Sequence, residues 1–128
     1  MAKKLSDFLT LEKFQACPVI DSIILVVPRN DIRYTEKEIV DKYDLDKVKK
    51  VVAGGKRRQD SVRFGIEASE GRYETVLIHD GVRPFIENSL IEKAVLTAQN
   101  ERAVVVAMPA NETIKEVNED GLIVKTIN

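Results

Sequence analysis

Short runs of β-branched and other apolar residues alternate along this chain with segments of helical spacing, and this alternation restricts the fold more than any other feature. The runs are Ile23–Val27, Val48–Ala53, residues 75–78 and residues 103–108. Continuous apolar runs of this length are typical of strands that are buried on both faces. Because single helical segments separate them, the connections are expected to be right-handed crossovers. The sequence therefore predicts an α/β fold with a mainly parallel sheet.

Helix signals lie before and between these runs. The predicted helices cover residues 6–17, 35–43, 58–69 and 89–100. The second and the fourth open with a capping-box pattern at Thr35 and Ser89, and the first ends before Pro18. Phe8, Leu11 and Phe14 give the first helix an apolar side that a core can cover.

The last part of the chain has a different pattern. Residues 113–117 and 122–127 flank a polar loop that ends in Gly121, which predicts an antiparallel β-hairpin. An isolated hairpin is only marginally stable, and this one has apolar residues on both faces, so we expect it to pack against another surface. We predict one domain, residues 1–128, with a core over 1–110 and a projecting arm over 111–128.

Charge and composition exclude several classes of function. Twenty basic and 21 acidic side chains give a net charge of -1, so no long-range attraction to nucleic acid is expected. No apolar run approaches the roughly 20 residues of a membrane span. Cys17 is the single cysteine of the sequence, which excludes an intrachain disulfide and makes the cytoplasm the simplest location.

A glycine-rich polar segment follows the second predicted strand. Gly54 and Gly55 would let a base or a phosphate approach the backbone, and the next helix offers unpaired N–H groups at its start. Arg57 and Arg58 add planar guanidinium forks, and Ser61 lies one turn into the helix. The alternative is a plain glycine turn beside a solvated basic face.

A second polar segment, residues 79–85, follows the third predicted strand. Asp80 could bind a divalent cation that bridges phosphates, and Arg83 could pair with a phosphate through two N–H groups. The alternative is an Asp–Arg salt bridge that closes the loop. His79 is more typical of a structural residue than of a base. Ligands of open parallel sheets bind beyond the carboxyl ends of the strands, so both segments should lie at one edge and face one pocket.

Together these segments resemble two signatures of the 2-C-methyl-D-erythritol 4-phosphate cytidylyltransferases. The matching residues are Ala53-Gly54-Gly55, Arg58 and Ser61-Val62, then residues 79–85, supported by residues 11–14, 23–28 and 113–115. The resemblance runs from about Leu11 to Ile127 and implies a Rossmann-like nucleotidyltransferase fold. Ribitol phosphate cytidylyltransferases share the His-Asp segment, although Ser61-Val62 and residues 114–117 favour the methylerythritol family.

The resemblance implies transfer of CMP from CTP to the sugar phosphate, with release of pyrophosphate and with Mg²⁺ as cofactor. It implies that Gly54, Gly55, Lys56, Arg58 and Ser61 bind the nucleotide, that Asp80, Gly81, Arg83 and Thr113 bind the acceptor, and that Asp80 is the candidate metal ligand. It also implies a homodimer in which the 113–127 arm brings Thr113 to the partner's site.

The sequence departs from the family pattern at its beginning. Such enzymes start with a strand and a glycine-rich loop that holds the triphosphate and is followed by a catalytic lysine, whereas the first glycine here is Gly54. Residues 1–128 alone are therefore expected to have little activity, because each lost cationic group costs roughly 10²- to 10³-fold in rate. A noncatalytic nucleotide-binding or dimerisation module is the alternative.

Overall fold

A computed structural model describes residues 2–109 and 111–127, with side chains from residue 8 onward. Helix α1 covers Ala2–Ala16 and is followed by strand β1, Ile23–Val27. A continuous helical segment comes next, formed by the 3₁₀ turn Arg29–Asp31, helix α2 at Ile32–Thr35 and a π-helical stretch at Glu36–Asp41. The remaining elements are β2 at Val48–Ala53, α3 at Arg58–Ala68, α4 at Asn88–Asn100, β3 at Ile114–Val117 and β4 at Ile123–Ile127.

Strands β1 and β2 pair in parallel, with Leu25 opposite Val51 and Val27 opposite Ala53. The Gly54 N–H donates to the Val27 carbonyl at 2.8 Å and continues this pairing past the end of β2. The helical segment over residues 29–41 connects the two strands. The predicted α/β fold with a parallel sheet is confirmed at the two strands that the sequence placed there.

Helices cover both faces of β1, which explains why its sequence is apolar throughout. Leu11 of α1, Ile39 and Leu45 form a buried cluster, against which Leu25 packs. Alternation along the strand points Val26 to the opposite face. There α3 lies so close that a Cβ on Gly65 would be 3.0 Å from the Val26 side chain.

A second buried cluster holds α4 against α1. Ile91 and Cys17 are fully buried and contact Phe14, with Leu77 and Ile86 packed around them. The segment that follows α3 therefore returns to α1, although it does so without regular secondary structure over residues 72–87.

The predicted strands over residues 75–78 and 103–108 are wrong, since neither segment is paired in the part of the chain that the structure describes. A strand requires a neighbour about 4.8 Å away, and residues 72–82 instead lie across a groove from β1. Residues 103–109 are exposed, with Val105 at 86% and Met108 at 87%. High β-propensity thus did not produce strands where no hydrogen-bonding neighbour was within reach.

The predicted hairpin is confirmed, with Ile114 opposite Ile127 and a bulge between Glu116 and Val117. The Asn118 side-chain oxygen accepts from the Asp120 and Leu122 N–H groups at 3.1 and 2.9 Å, and Gly121 takes a φ of +79° that favours glycine. Leu122 closes this loop, so the second strand begins one residue later than predicted. Residues 111–127 are exposed throughout.

Three helix boundaries also differ from those predicted. Helix α1 begins at Ala2 and not at residue 6. The second helical segment already turns after Pro28, which places Thr35 inside it and not at its start. Helix α4 begins at Asn88, one residue before Ser89. Within residues 2–109 and 111–127, no helix is long and apolar enough to cross a membrane.

Candidate functional site

The loop after β2 is tightly folded and has no room for side chains at its glycines. A Cβ on Gly54 would lie 2.9 Å from the Ser61 hydroxyl, and a Cβ on Gly55 would lie 2.4 Å from the Cβ of Asp60. The Gly55 N–H donates to the Ser61 hydroxyl oxygen at 3.1 Å. Ser61 therefore fixes the glycine loop onto the first turn of α3.

The two arginines at the start of α3 have different partners. Arg57 is held within its own turn, where its guanidinium donates to both carboxylate oxygens of Asp60 at 3.1 and 2.9 Å. These hydrogen bonds lower the pKa of Asp60 and raise that of Arg57. The Arg58 side chain extends to the loop over residues 79–83. Lys56 is exposed and makes no hydrogen bond or ion pair with the described side chains.

The second loop, residues 79–83, is anchored to α1. The hydroxyl of Thr10, which is only 3% exposed, donates to the Gly81 carbonyl at 2.6 Å. The Arg83 N–H donates to the Asp80 carbonyl at 3.1 Å and closes the turn. The hydrogen bond from Thr10 therefore fixes the position of the backbone that carries the Asp80 and Arg83 side chains.

His79 belongs to this anchor. Its ring lies 4.9 Å from that of Phe14, centroid to centroid, and its Nδ1 is buried without a hydrogen-bond partner in the described part of the chain. Burial lowers the pKa of His79, and the nearby Asp80 carboxylate only partly opposes this. A neutral ring that packs against an aromatic side chain agrees with the interpretation of His79 as a structural residue and not as a base.

The two loops meet at Asp80. Arg58 Nη2 donates to Asp80 Oδ1 at 2.9 Å, and Arg83 Nε lies 3.2 Å from Asp80 Oδ2. The carboxylate therefore faces one guanidinium from each loop. The two segments meet as predicted, although the second follows no strand in the structure. The Asp–Arg salt bridge of the alternative interpretation is present as well.

A groove of about 790 Å³ lies beside this junction, between β1 and residues 72–82. Arg58, Ser61, Asp80 and Gly81 line it together with the apolar side chains of β1. Polar and apolar groups both line it, as in sites that bind small organic ligands. Thr113 is not brought to this groove, because it lies in the exposed arm.

Among the described residues, Asp80 is not part of a metal site built from protein ligands alone. The described residues contain no cluster of three His, Cys, Asp or Glu side chains. Both oxygens of Asp80 already face guanidinium groups, and a Mg²⁺ ion there would be repelled by two positive charges within a few ångströms. The predicted metal role of Asp80 therefore does not fit the geometry of this structure.

Thr10 was missed by the sequence reasoning, although it positions the second loop. It lies next to Leu11 and one turn before Phe14, so it is a polar residue close to the apolar side of α1. Such a threonine is a candidate for a buried hydrogen bond, but the sequence does not identify the partner, which is 71 residues away.

Comparison with known proteins gives a consistent result. A family model described as 2-C-methyl-D-erythritol 4-phosphate cytidylyltransferase matches residues 8–128. Proteins of that name from Geobacter metallireducens and Alkaliphilus metalliredigens are 42% and 47% identical over 120 and 117 residues. In both cases 91% of this chain is covered, but only 51% and 48% of the relative. The chain therefore spans about half the length of the curated relatives it matches.

A solved structure gives the same result for the fold. The crystal structure of 4-diphosphocytidyl-2C-methyl-D-erythritol synthase from Anaerococcus prevotii superposes with a TM-score of 0.82 at 32% sequence identity. The superposition covers 96% of this chain and 53% of that one. The likeness thus extends over nearly the whole of this chain.

Proposed function

This chain belongs to the 2-C-methyl-D-erythritol 4-phosphate cytidylyltransferase family, and we propose that it carries the cytidine and acceptor contacts of an enzyme that transfers CMP from CTP to 2-C-methyl-D-erythritol 4-phosphate. In this reaction an oxygen of the acceptor phosphate attacks the α-phosphorus of CTP. The bond from that phosphorus to the β-phosphate oxygen breaks, and pyrophosphate leaves.

The observation that supports this proposal is the contact between Arg58 and Asp80. A transfer between two phosphates requires two binding loops that hold their ligands side by side, because most of the catalysis is positioning and charge stabilisation. Here the loop that follows β2 and the loop that ends at Arg83 are joined at a distance of 2.9 Å. Each contributes a guanidinium with exposed N–H groups.

The roles of the individual residues follow from their surroundings. Gly55 is exposed at the edge of the loop, and Ser61 holds the loop in shape through the Gly55 N–H. Gly81 has its carbonyl tied to Thr10, which steadies the backbone next to Arg83. Arg83 has an exposed guanidinium that can bind the acceptor phosphate through two N–H groups.

Titration of the full chain with CTP and with methylerythritol phosphate tests the proposal. Isothermal titration calorimetry should detect CTP binding that ATP does not match. Arg83→Gln should weaken acceptor binding at least about tenfold, as expected for a lost hydrogen bond to a charged group. Arg63→Gln is the matched control, since Arg63 lies on α3 and pairs with Glu67 at 3.8 Å, and it should bind both ligands normally.

Equal affinities for CTP and ATP would contradict a cytidine site. An unchanged acceptor affinity in Arg83→Gln would contradict the role of that arginine. Because binding and not turnover is measured, the test does not require the catalytic lysine of the family pattern.

We further propose that the arm, residues 113–127, forms the interface of a homodimer and brings Thr113 to the partner's groove. The arm exposes the side chains of Ile114, Val117, Leu122, Ile123, Val124 and Ile127. A solvated two-stranded ribbon cannot stably present this much apolar area, so another protein surface should pack against it. A second copy of the chain offers the same surface in a symmetric arrangement.

Sedimentation of the full chain at tens of micromolar tests the arm. The wild-type chain should sediment as a dimer, Ile123→Lys as a monomer, and the control Glu119→Lys, in the hairpin loop, as a dimer. A monomeric wild-type chain at this concentration would exclude the interface.

A further inference from the structure

Asp80 has an unusual environment for a residue expected to bind a cation. Each of its two oxygens contacts one guanidinium, Oδ1 that of Arg58 at 2.9 Å and Oδ2 that of Arg83 at 3.2 Å. The two arginines come from different loops and lie 25 positions apart in the sequence. One carboxylate thus orients two guanidinium groups that the backbone alone would leave free to rotate.

The charges also favour an anion at this position. One carboxylate and two guanidiniums leave a net charge of +1, and Lys56 adds a further positive charge to the first loop. The side chains of Arg58 and Arg83 are 64% and 74% exposed, whereas that of Asp80 is 36% exposed. The N–H groups that do not face Asp80 are therefore open to solvent and to a ligand.

The geometry suits a phosphate group. Each guanidinium has five N–H donors in a planar fork, and one contact to Asp80 leaves the other donors for phosphate oxygens. A carboxylate that holds two forks in place reduces the side-chain entropy lost when the phosphate binds. This is the usual role of a supporting residue behind a binding group.

We propose that Asp80 is a positioning residue, which orients Arg58 and Arg83 into one phosphate receptor, and that it does not ligate a divalent cation. The proposal rests on the proposed function only for the source of the phosphate, which is either the nucleotide or the sugar phosphate. Both present the same oxygen chemistry to the receptor.

The direction in which Asp80→Asn changes the affinity for phosphate distinguishes the two possible roles of Asp80. If the carboxylate were only a negative charge near a phosphate, Asp80→Asn would strengthen phosphate binding, because a repulsion is removed. If it orients the arginines, the same substitution weakens binding, by about tenfold when one charged hydrogen bond is lost. If Asp80 were a cation ligand, the same substitution would instead lower the affinity for the metal ion.

The experiment uses the full chain with inorganic pyrophosphate and Mn²⁺ as separate probes. Calorimetry should show pyrophosphate binding about tenfold weaker for Asp80→Asn than for wild type, while electron paramagnetic resonance shows Mn²⁺ affinity unchanged within twofold. Glu67→Gln, which removes an arginine-paired carboxylate elsewhere on α3, should leave pyrophosphate affinity unchanged. Titrating wild type with CTP and with the sugar phosphate separately then identifies the source of the phosphate.

A double-mutant cycle shows whether Asp80 acts through Arg58. Asp80→Asn should weaken pyrophosphate binding much less in an Arg58→Gln background than in wild type. Circular dichroism of each variant verifies folding, and the ¹⁵Nε–¹H resonance of Arg83 should move in Asp80→Asn but not in Glu67→Gln. Absent pyrophosphate binding by wild type, unchanged or stronger binding by Asp80→Asn, or a tenfold loss of its Mn²⁺ affinity would each overturn the proposal.

Discussion

Gly55→Ala is the substitution whose consequences can be worked out most completely from the structure. The new Cβ would lie 2.4 Å from the Cβ of Asp60 and 3.3 Å from the Phe64 ring. An ordinary contact between such atoms begins near 3.4 Å, so one of the two groups must move by about 1 Å. Because the Asp60 Cβ is fixed to the backbone of α3, the movement falls on the glycine loop or on the first turn of that helix.

The expected cost has two parts. Overpacking of this kind destabilises a protein by about 1–3 kcal/mol. Separately, a shift of about 1 Å in a positioning loop can cost on the order of 10²-fold in function. Gly55→Ala should therefore lose both stability and CTP affinity. Gly54→Ala should cost less, since its nearest contact at 2.9 Å is the Ser61 hydroxyl, which can rotate away.

Gly71→Ala is the matched control. Gly71 has a φ of +66° and open space around its Cβ position, so alanine there meets backbone strain alone, worth roughly 1–2 kcal/mol. Urea unfolding should give similar losses for Gly55→Ala and Gly71→Ala, whereas calorimetry should give normal CTP affinity only for Gly71→Ala. Wild-type stability of Gly55→Ala would refute the steric argument, whatever the chain binds.

Three further expectations concern stability. Burial lowers the pKa of His79, so the unfolded chain binds a proton at a higher pH than the folded chain does. The stability of the folded chain should therefore be complete above about pH 6.5 and should fall as the pH drops through that value. Urea midpoints at pH 7.5 and 5.5 should show a smaller fall for His79→Gln, and an equal fall would contradict the assignment. Ile91→Ala should cost about 2–5 kcal/mol in urea unfolding, because Ile91 is fully buried between α1 and α4. Leu96→Ala, half exposed on the same helix, should cost well under that, and equal losses would show that the cluster is not the core of this interface. Thr10→Val should cost about 0.5–1.5 kcal/mol, since the part-buried hydrogen bond to the Gly81 carbonyl is lost, and an unchanged urea midpoint would argue against this anchor.

The sequence predicted those parts of the fold whose partners lie close along the chain. Strands β1 and β2 and the hairpin were found near their predicted positions, because each depends on a neighbour joined to it by one connection. Residues 75–78 have the same kind of sequence but depend on a neighbour that the sequence does not specify. Their apolar side chains pack in part, as Leu77 does, without any strand pairing.

The sequence predicted that the two loops meet, but not which side chains join them. Glycines and arginines after apolar runs mark both segments, although the second run, residues 75–78, forms no strand. Nothing in the sequence distinguishes Arg57 from its neighbour Arg58, yet Arg57 pairs with Asp60 inside its own turn and Arg58 reaches Asp80 in the other loop. This choice depends on the direction in which each side chain leaves the start of α3.

Because the Arg58–Asp80 pair is exposed, its effect should be sought in ligand binding and not in folding stability. Both side chains are in contact with water, and ion pairs of this kind contribute at most about 1 kcal/mol to stability. The pair adds little to folding stability, and the N–H groups of Arg58 that do not face Asp80 stay available to a ligand phosphate. The contact should therefore matter more for ligand binding than for stability. Arg58→Gln should accordingly leave the urea midpoint almost unchanged while it weakens pyrophosphate binding about tenfold.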